Sequence, residues 1–420
     1  MPTRRPAGTG AATLRRRQAS GRAGGGAGSA VRFFAFAVPG LAPLLAAELA
    51  SIPSVSIEDR GFDGRSDVVC FTAEPSAFRH LLAVRLAEDV FVEVGRTLRS
   101  EGDRAQWIAG RLWRPERVQR ALSTRARLGR PLRGKATFRV IARVLQERSF
   151  LRTDLRRRAT EAVQRQQPHW RVADPSDVEI WIVEYQPGRI LAGLRVSDAA
   201  MRQHVGRVVE RSGALRPTVA TAMVQLAGQP PPAGLLLDPC CGSGTILAEA
   251  MEVGWHARGI DIDPEAVRVA RHNVPKALVD KGDARRLDLE DGSVDACVSN
   301  LPFGQQYGVR GGMENWLRAV LGELQRVTRP GGRIVLLAPN IPRGVLPPRL
   351  RRIDRIPIRL LGTKTILWAY DRTGPDGQPP PSPPRTLRLS QFRARIGPGR
   401  GYLPRFIPVA CGYLDQQRHQ

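Results

Sequence analysis

The sequence predicts an α/β chain whose C-terminal half is a doubly wound parallel sheet, preceded by smaller α+β units. Three observations carry this. Between residues 235 and 370, short apolar runs alternate with amphipathic stretches at the spacing of strand–helix–strand crossovers. A Gly-rich string, Asp238-Pro-Cys-Cys-Gly-Ser-Gly-Thr245, joins the first of those runs to a helix-like stretch. Before residue 200, β-like runs and apolar-periodic helices follow one another in two shorter groups.

Residues 1–30 are Gly, Ala and Arg with almost nothing to bury, which predicts a disordered basic tail. The apolar run 33–47 after this Arg-rich leader superficially imitates a secretory signal. Pro39-Gly40 and Pro43 interrupt it and Glu48 closes it, so a strand over 31–38, a turn and a helix over 41–50 account for it better. A strand over 67–71, a helix over 77–86 and a strand over 90–94 complete a first α+β unit, 31–95. A second unit, 96–200, reads as a helix over 115–128, a strand over 137–144, a helix over 153–166 and strands over 178–184 and 190–196. The third region, 201–370, opens with a helix started near Pro217 and stopped at Gly228, after which Pro230-Pro-Pro232 breaks the chain. Its strands fall at 235–238, 257–261, 277–281, 296–300, 332–338 and 365–369, with a helix over 265–273. Residues 371–384 have linker composition, and 371–420 reads as a Pro-rich linker with a basic tail.

A chain of 420 residues has room for two or three domains with real cores. Cys70, Cys240, Cys241, Cys297 and Cys411 show no CxxC spacing and no paired His cluster, so neither a disulfide framework nor a metal site is expected. A reducing cytoplasm fits that usage, and no membrane span is expected. The net charge of +26 is unevenly placed: residues 96–171 hold 21 Arg and Lys against six Asp and Glu. Only four Lys occur in the chain, so a genomic preference for Arg contributes, but such a preference does not put the surplus in one segment. A dense basic surface suits a polyanion, whose counterions are released on binding. On the helix over 153–166, Leu155, Ala159 and Val163 share one face while Arg156, Arg157 and Arg158 lie off it. With Arg152 and Arg139 they are the expected contacts to a phosphate backbone; a merely solvated face is the plainer alternative.

The string around Asp238 is a strand, a tight turn and a helix start. Gly242 and Gly244 let backbone approach a ligand, and the helix N-terminus offers N–H groups to a carboxylate. Asp238 can accept from an ammonium. Alone, this says only that a nucleotide-type cofactor binds. Gly259-Ile-Asp261-Ile-Asp263 ends the next strand, where Asp261 can take both ribose hydroxyls and Asp263 caps a helix. Asp283, in Lys281-Gly-Asp-Ala-Arg285, follows the third strand, where an adenine amine would lie. Acids ordered in this way point to S-adenosyl-L-methionine (SAM). The expected cofactor set is Asp238, Cys240, Gly242, Ser243, Gly244, Thr245, Asp261, Ile262, Asp283, Ala284 and Asn300. No Walker GxxxxGK[ST] string occurs, and a dinucleotide loop would read GxGxxG.

Asn300-Leu-Pro-Phe-Gly304 ends the fourth strand, on the edge where open α/β sheets bind ligands. Exocyclic base amines are weak nucleophiles because their lone pair is delocalised into the ring. If the Asn300 side-chain oxygen and the Leu301 carbonyl each accept an N–H, the lone pair is aimed at the methyl group. Pro302 fixes the turn, and Phe303 offers a stacking face. Asn300, Leu301, Pro302 and Phe303 are therefore the expected catalytic set. Gln305, Gln306 and Tyr307 follow directly and can read the base edge or be ordinary loop.

With these residues in view, the chain resembles the THUMP-domain RNA methyltransferases, most closely the TrmN-type group that forms N2-methylguanosine in tRNA. The resemblance rests on Leu215-Arg-Pro-Thr218, Asp238 to Ala250, Asp261-Ile-Asp263, Gly282-Asp-Ala-Arg285 and Asn300 to Gly304, and is specific over 205–340. Over 31–200 it is looser and implies a ferredoxin-like unit followed by a THUMP unit that grips the tRNA acceptor end. It implies methylation of guanosine N2 in tRNA, in the acceptor stem. Many relatives carry a second Pro where Leu301 stands; the backbone carbonyl survives that change. Three alternatives stay open: guanine N2 in rRNA, adenine N6, since adenine enzymes share nearly the same tetrapeptide, and a non-catalytic RNA-binding protein keeping the fold.

Overall fold

A computed structural model describes residues 30–132, 135–147, 149–204, 214–302, 312–360 and 362–374. The predicted tail before residue 30, Phe303 to Tyr307, residues 375–384 of the expected linker and the expected basic tail to residue 420 lie outside them. The chain opens β1 (Val31–Ala37), α1 (Ala42–Ala50), β2 (Val55–Phe62), β3 (Asp67–Ala73), α2 (Phe78–Leu81), β4 (Asp89–Leu98). It continues α3 (Ala105–Leu112), α4 (Pro115–Arg127), β5 (Thr137–Arg143), α5 (Arg152–Gln166), β6 (Arg171–Val172), β7 (Val178–Gln186), β8 (Arg189–Arg195) and α6 (Ala199–Gln203). These strands form one eight-stranded sheet, ordered β2-β3-β1-β4-β8-β7-β5-β6, because antiparallel pairing of β4 with β8 joins the two N-terminal groups edge to edge.

The second sheet is built from β9 (Leu235–Asp238), β10 (His256–Asp261), β11 (Leu278–Lys281), β12 (Val294–Asn300), β13 (Thr328–Ala338), β14 (Leu350–Leu360) and β15 (Thr363–Arg372). Its order is β11-β10-β9-β12-β13-β15-β14; the first five run parallel, and β15 lies antiparallel between β13 and β14. Helices α7 (Pro217–Ala227), α8 (Thr245–Glu252) and α9 (Pro264–Asn273) bury apolar residues in the same core as α1, whereas α10 (Met313–Val327) packs Leu317, Val320, Leu321 and Leu324 on the other face. The sheet is thus wound on both faces, as the sequence predicts.

The edge strands β2 and β14 carry polar, half-exposed sequences, which is why neither is visible as an apolar run. The helix expected over 77–86 is short. After Leu81 the chain turns away because the Glu48 carboxylate accepts the N–H groups of Arg85 and Leu86, each at 2.9 Å. Asp371 and Arg372, read as the start of a linker, still belong to β15.

The N-terminal sheet is seated directly on the second one. Gly40, at φ +100°, sits so close that a Cβ would lie 2.1 Å from the Pro357 carbonyl oxygen, and the Pro39 carbonyl accepts the N–H of Arg359 at 3.0 Å. Ion pairs Arg216–Glu88 (2.5 Å) and Arg85–Glu249 (2.6 Å) cross the same junction. One apolar core runs continuously from Leu41 and Leu45 to Val219, Ile356 and Leu367.

Candidate cofactor and acceptor site

Parallel pairing brings the key residues to one edge. Asp238 ends β9 level with Gly259 of β10, so Asp261 emerges two residues beyond it, while β12 runs beside β9 and ends at Asn300. Asp238 is 1% exposed. Its Oδ1 accepts the Ser299 hydroxyl at 2.7 Å and the Cys240 N–H at 3.2 Å. Burial pushes its carboxyl up to about 7; those two hydrogen bonds favour the ionised form, and nearby Asp261 adds to the rise. Among the described residues no Arg, Lys or His forms an ion pair with it, so a cationic ligand group would meet an uncompensated buried acid.

Asp261 anchors the loop: Oδ2 accepts the Gly242 N–H at 2.8 Å and Oδ1 the Asp263 N–H at 3.0 Å. Each oxygen keeps a further lone pair for a hydroxyl. Gly242 takes φ +53°, and a Cβ there would meet nothing within 4 Å, so this face of the turn is open. The back of the turn is closed instead, by the Asn273 amide donating to the Ser243 carbonyl at 3.0 Å. Ser243 and Thr245 are buried, and Asp263 caps α9 by accepting the Glu265 N–H at 2.9 Å, as expected. Ile262 is 64% exposed directly beyond Asp261, an apolar surface suited to a flat ring. Burial pushes the thiols of Cys240, Cys241 and Cys297 up, which disfavours a thiolate at these positions.

Asp283 differs from the other two acids. Both of its oxygens face Arg285, whose guanidinium donates at 2.6–3.0 Å, and this pairing holds its carboxyl below the usual range. A ligand amine there would share Asp283 with Arg285. Ala284 is buried beside it.

Asn300 is half-buried at the end of β12, Leu301 is buried and donates its N–H to the Leu337 carbonyl at 3.3 Å, and Pro302 is half-buried. Phe303 lies outside the described residues. Ser299, fully buried, went unnoticed in the sequence although it ties the loop acid to the strand that presents Asn300. A lone hydroxyl among the apolar residues just before Asn300 was the available signal.

A second buried cluster stands behind the loop. Glu249 of α8, 4% exposed, accepts from Arg85 at 2.6 Å, from Thr221 of α7 at 2.6 Å and from His204 Nδ1 at 2.8 Å. His204 and Glu249 border a cavity of about 10 Å³ together with Ser243, Gly244 and Thr245.

The expected RNA-binding arginines are mostly occupied. Arg139 pairs with Asp174 and Glu179, each at 2.6 Å; Arg152 with Glu147 at 3.8 Å; Arg157 with Asp154 and Glu161; and Arg158 with Glu161 at 3.1 Å. Of that set only Arg156 has no carboxylate partner among the described residues. On α4, by contrast, Arg117, Arg120 and Arg127 all lack one, and Arg127 instead covers the Phe78 ring at 5.2 Å.

Comparison with known proteins bears on the same edge. The UPF0020 family, an RMKL-like methyltransferase domain, matches residues 205–342. The resemblance read from the sequence is also borne out by individual proteins. A Bos taurus tRNA (guanine(6)-N(2))-methyltransferase, THUMP3, is 33% identical over 186 residues, covering 38% of this chain and 35% of the relative. A Bos taurus U6 snRNA (guanine-N(2))-methyltransferase, THUMPD2, is 36% identical over 139 residues, covering 31% and 27%. The matched stretches thus span about a third of those relatives or less. The crystal structure of TrmN from Thermus thermophilus superposes with a TM-score of 0.65 at 25% identity, covering 81% of this chain and 99% of that one. The cofactor of such a domain is SAM, and the residues fit it: an unpaired buried acid, a second acid with open lone pairs, an open glycine face and an exposed apolar residue in sequence along the edge. Among the described residues no helix is long and apolar enough to cross a membrane, and no group of three His, Cys, Asp or Glu is placed to hold a metal.

Proposed function

We propose that the chain is a SAM-dependent methyltransferase acting on the exocyclic N2 of a guanosine in structured RNA, with tRNA as the substrate. The observation that carries this is the 2.7 Å hydrogen bond from Ser299 to Asp238, which locks the cofactor acid to the strand ending in Asn300-Leu-Pro302. Bound SAM supplies an electrophilic methyl group. Asp238 would hold its ammonium and Asp261 its ribose hydroxyls, while Ile262, Ala284 and Asp283 would receive its adenine. The open face of Gly242 would admit the ligand, and the Ser243–Thr245 turn would take its carboxylate. The Asn300 side-chain oxygen and the Leu301 carbonyl each accept one N–H of the target amine, turning its lone pair toward the methyl. Pro302 would keep these acceptors on the edge; the stacking role expected of Phe303 falls on a residue outside the described ones. No strong general base is needed, because the amine proton becomes acidic as the N–C bond forms, so positioning is the main contribution.

Guanine N2 is favoured over adenine N6 by the names of the matched relatives, both guanine-N2 methyltransferases. The Arg-rich surplus before the loop supports an RNA partner, and the pairing of Arg139, Arg152, Arg157 and Arg158 moves the expected contact to Arg117, Arg120 and Arg127 of α4, with Arg156 beside them in the set. In this reading residues 31–95 act as a ferredoxin-like unit and 96–200 as a THUMP-like unit that holds the acceptor end, residues 201–370 are catalytic, and the work is done in the cytoplasm. Purified protein given labelled SAM and tRNA lacking the modification should yield labelled N2-methylguanosine in the nucleoside digest. Label in N6-methyladenosine, in rRNA alone or in neither RNA would refute it.

A further inference from the structure

The outer edge of the second sheet carries an arginine row that the proposed chemistry does not use. Strand register sets its position. Asn300 is level with Leu337, Leu337 with Leu367, and Leu367 with Ile356. Three strand spacings therefore separate Asn300 from Ile356, roughly 15 Å. Arg355 precedes Ile356, and Arg352 lies below it on the same face, after a register shift between Arg352 and Asp354.

Both side chains are exposed and lean over the buried Trp368, with guanidinium carbons 5.3 Å (Arg355) and 5.8 Å (Arg352) from its ring centroid. Trp368 is fixed by its indole N–H, which donates to the Ala338 carbonyl at 3.0 Å. Neither guanidinium pairs with a carboxylate among the described residues; the neighbouring Asp354 carboxylate accepts the backbone N–H of Arg355 at 2.9 Å. Arg351, on the opposite face, is held by Asp371 at 3.0 Å. The two guanidiniums are thus oriented by an aromatic platform and left with their donors free, the state that suits a phosphate oxygen.

We propose that Arg352 and Arg355 form a second contact for the phosphate backbone of the substrate RNA, on the strand flanking the nucleotide presented to Asn300. This rests on the RNA reading above. A plainer role exists for charges on an edge strand, which is to block pairing with another chain. The register shift and Pro357, which has no N–H to donate, already blunt this edge, so two aligned arginines are not required for that purpose.

The test uses the full chain with Arg352→Gln and Arg355→Gln together, an unmodified tRNA transcript as probe, and thermal unfolding and SAM binding as controls. The RNA Kd should rise several-fold and the slope of log K against log salt should fall by roughly 1.8, about 0.9 for each phosphate that is no longer neutralised. KM for RNA should rise with kcat unchanged. An Arg352→Lys/Arg355→Lys pair, which keeps the charge, should keep most of the slope and serves if the Gln pair unfolds. Unchanged affinity and slope would overturn the proposal, and so would new self-association with RNA affinity intact, which would assign the row to edge protection. A wild-type protein that neither binds nor methylates RNA would instead fail the underlying reading.

Discussion

The cofactor edge and the arginine-rich faces use charge in opposite ways. At the edge, Asp238 and Asp261 are held by backbone N–H groups and a buried hydroxyl, so their positions follow from strand ends and a glycine turn. On α5, Arg157 and Arg158 pair with acids three or four residues away on the same helix. A motif fixes geometry because backbone does the holding. A charge count fixes only supply, and the neighbouring acids decide what is left for a partner.

The largest effect expected from disturbing the buried side of this contrast is at Glu249. Glu249→Ala leaves Arg85 and His204 facing each other without their shared acid, and stability should fall by about 3 kcal/mol. Denaturant unfolding checks this. A loss under about 1 kcal/mol would mean that the junction does not depend on the cluster.

A smaller effect concerns Asp238. With a carboxyl at about 7, cofactor affinity should rise about tenfold from pH 6 to pH 8 as the ionised fraction grows. The sign for stability is opposite: the folded carboxyl is raised above its unfolded value, so the ligand-free protein loses stability as pH rises from about 4 through 7. Asp238→Asn should flatten both profiles, as read by calorimetry. A profile unchanged in that variant would remove Asp238 from the ammonium site.

The smallest expected effect separates the two helices. Replacing Arg117, Arg120 and Arg127 of α4 by Gln should weaken RNA binding several-fold and lower the salt slope by roughly 2 to 3. The same change at Arg156, Arg157 and Arg158 should lower it by about 1 at most, since of these three only Arg156 has no carboxylate partner among the described residues. Equal losses would restore the face first expected from the sequence.

How far the sequence was legible follows the same division. The five parallel strands of the second sheet and β15, the glycine turn and the Asp263 cap could be read because apolar runs and turn residues report directly on burial and backbone shape. Strands β2 and β14 could not, since an edge strand with one wet face lacks an apolar run. Glu48 ended a predicted helix from thirty-seven residues away, and the cluster of Arg85, Thr221, His204 and Glu249 draws on four distant segments. Neither leaves a local pattern. Ser299 lay in plain view, but only the pairing of β9 with β12 shows that its hydroxyl meets Asp238.

The most direct test is to measure RNA affinity and single-turnover methyl transfer for Asn300→Ala on the same tRNA. If the edge performs the chemistry and the arginine faces hold the substrate, the rate should fall by about 10²-fold or more while Kd stays within about twofold. A preserved rate, or a rate and an affinity that fall together, would contradict that division.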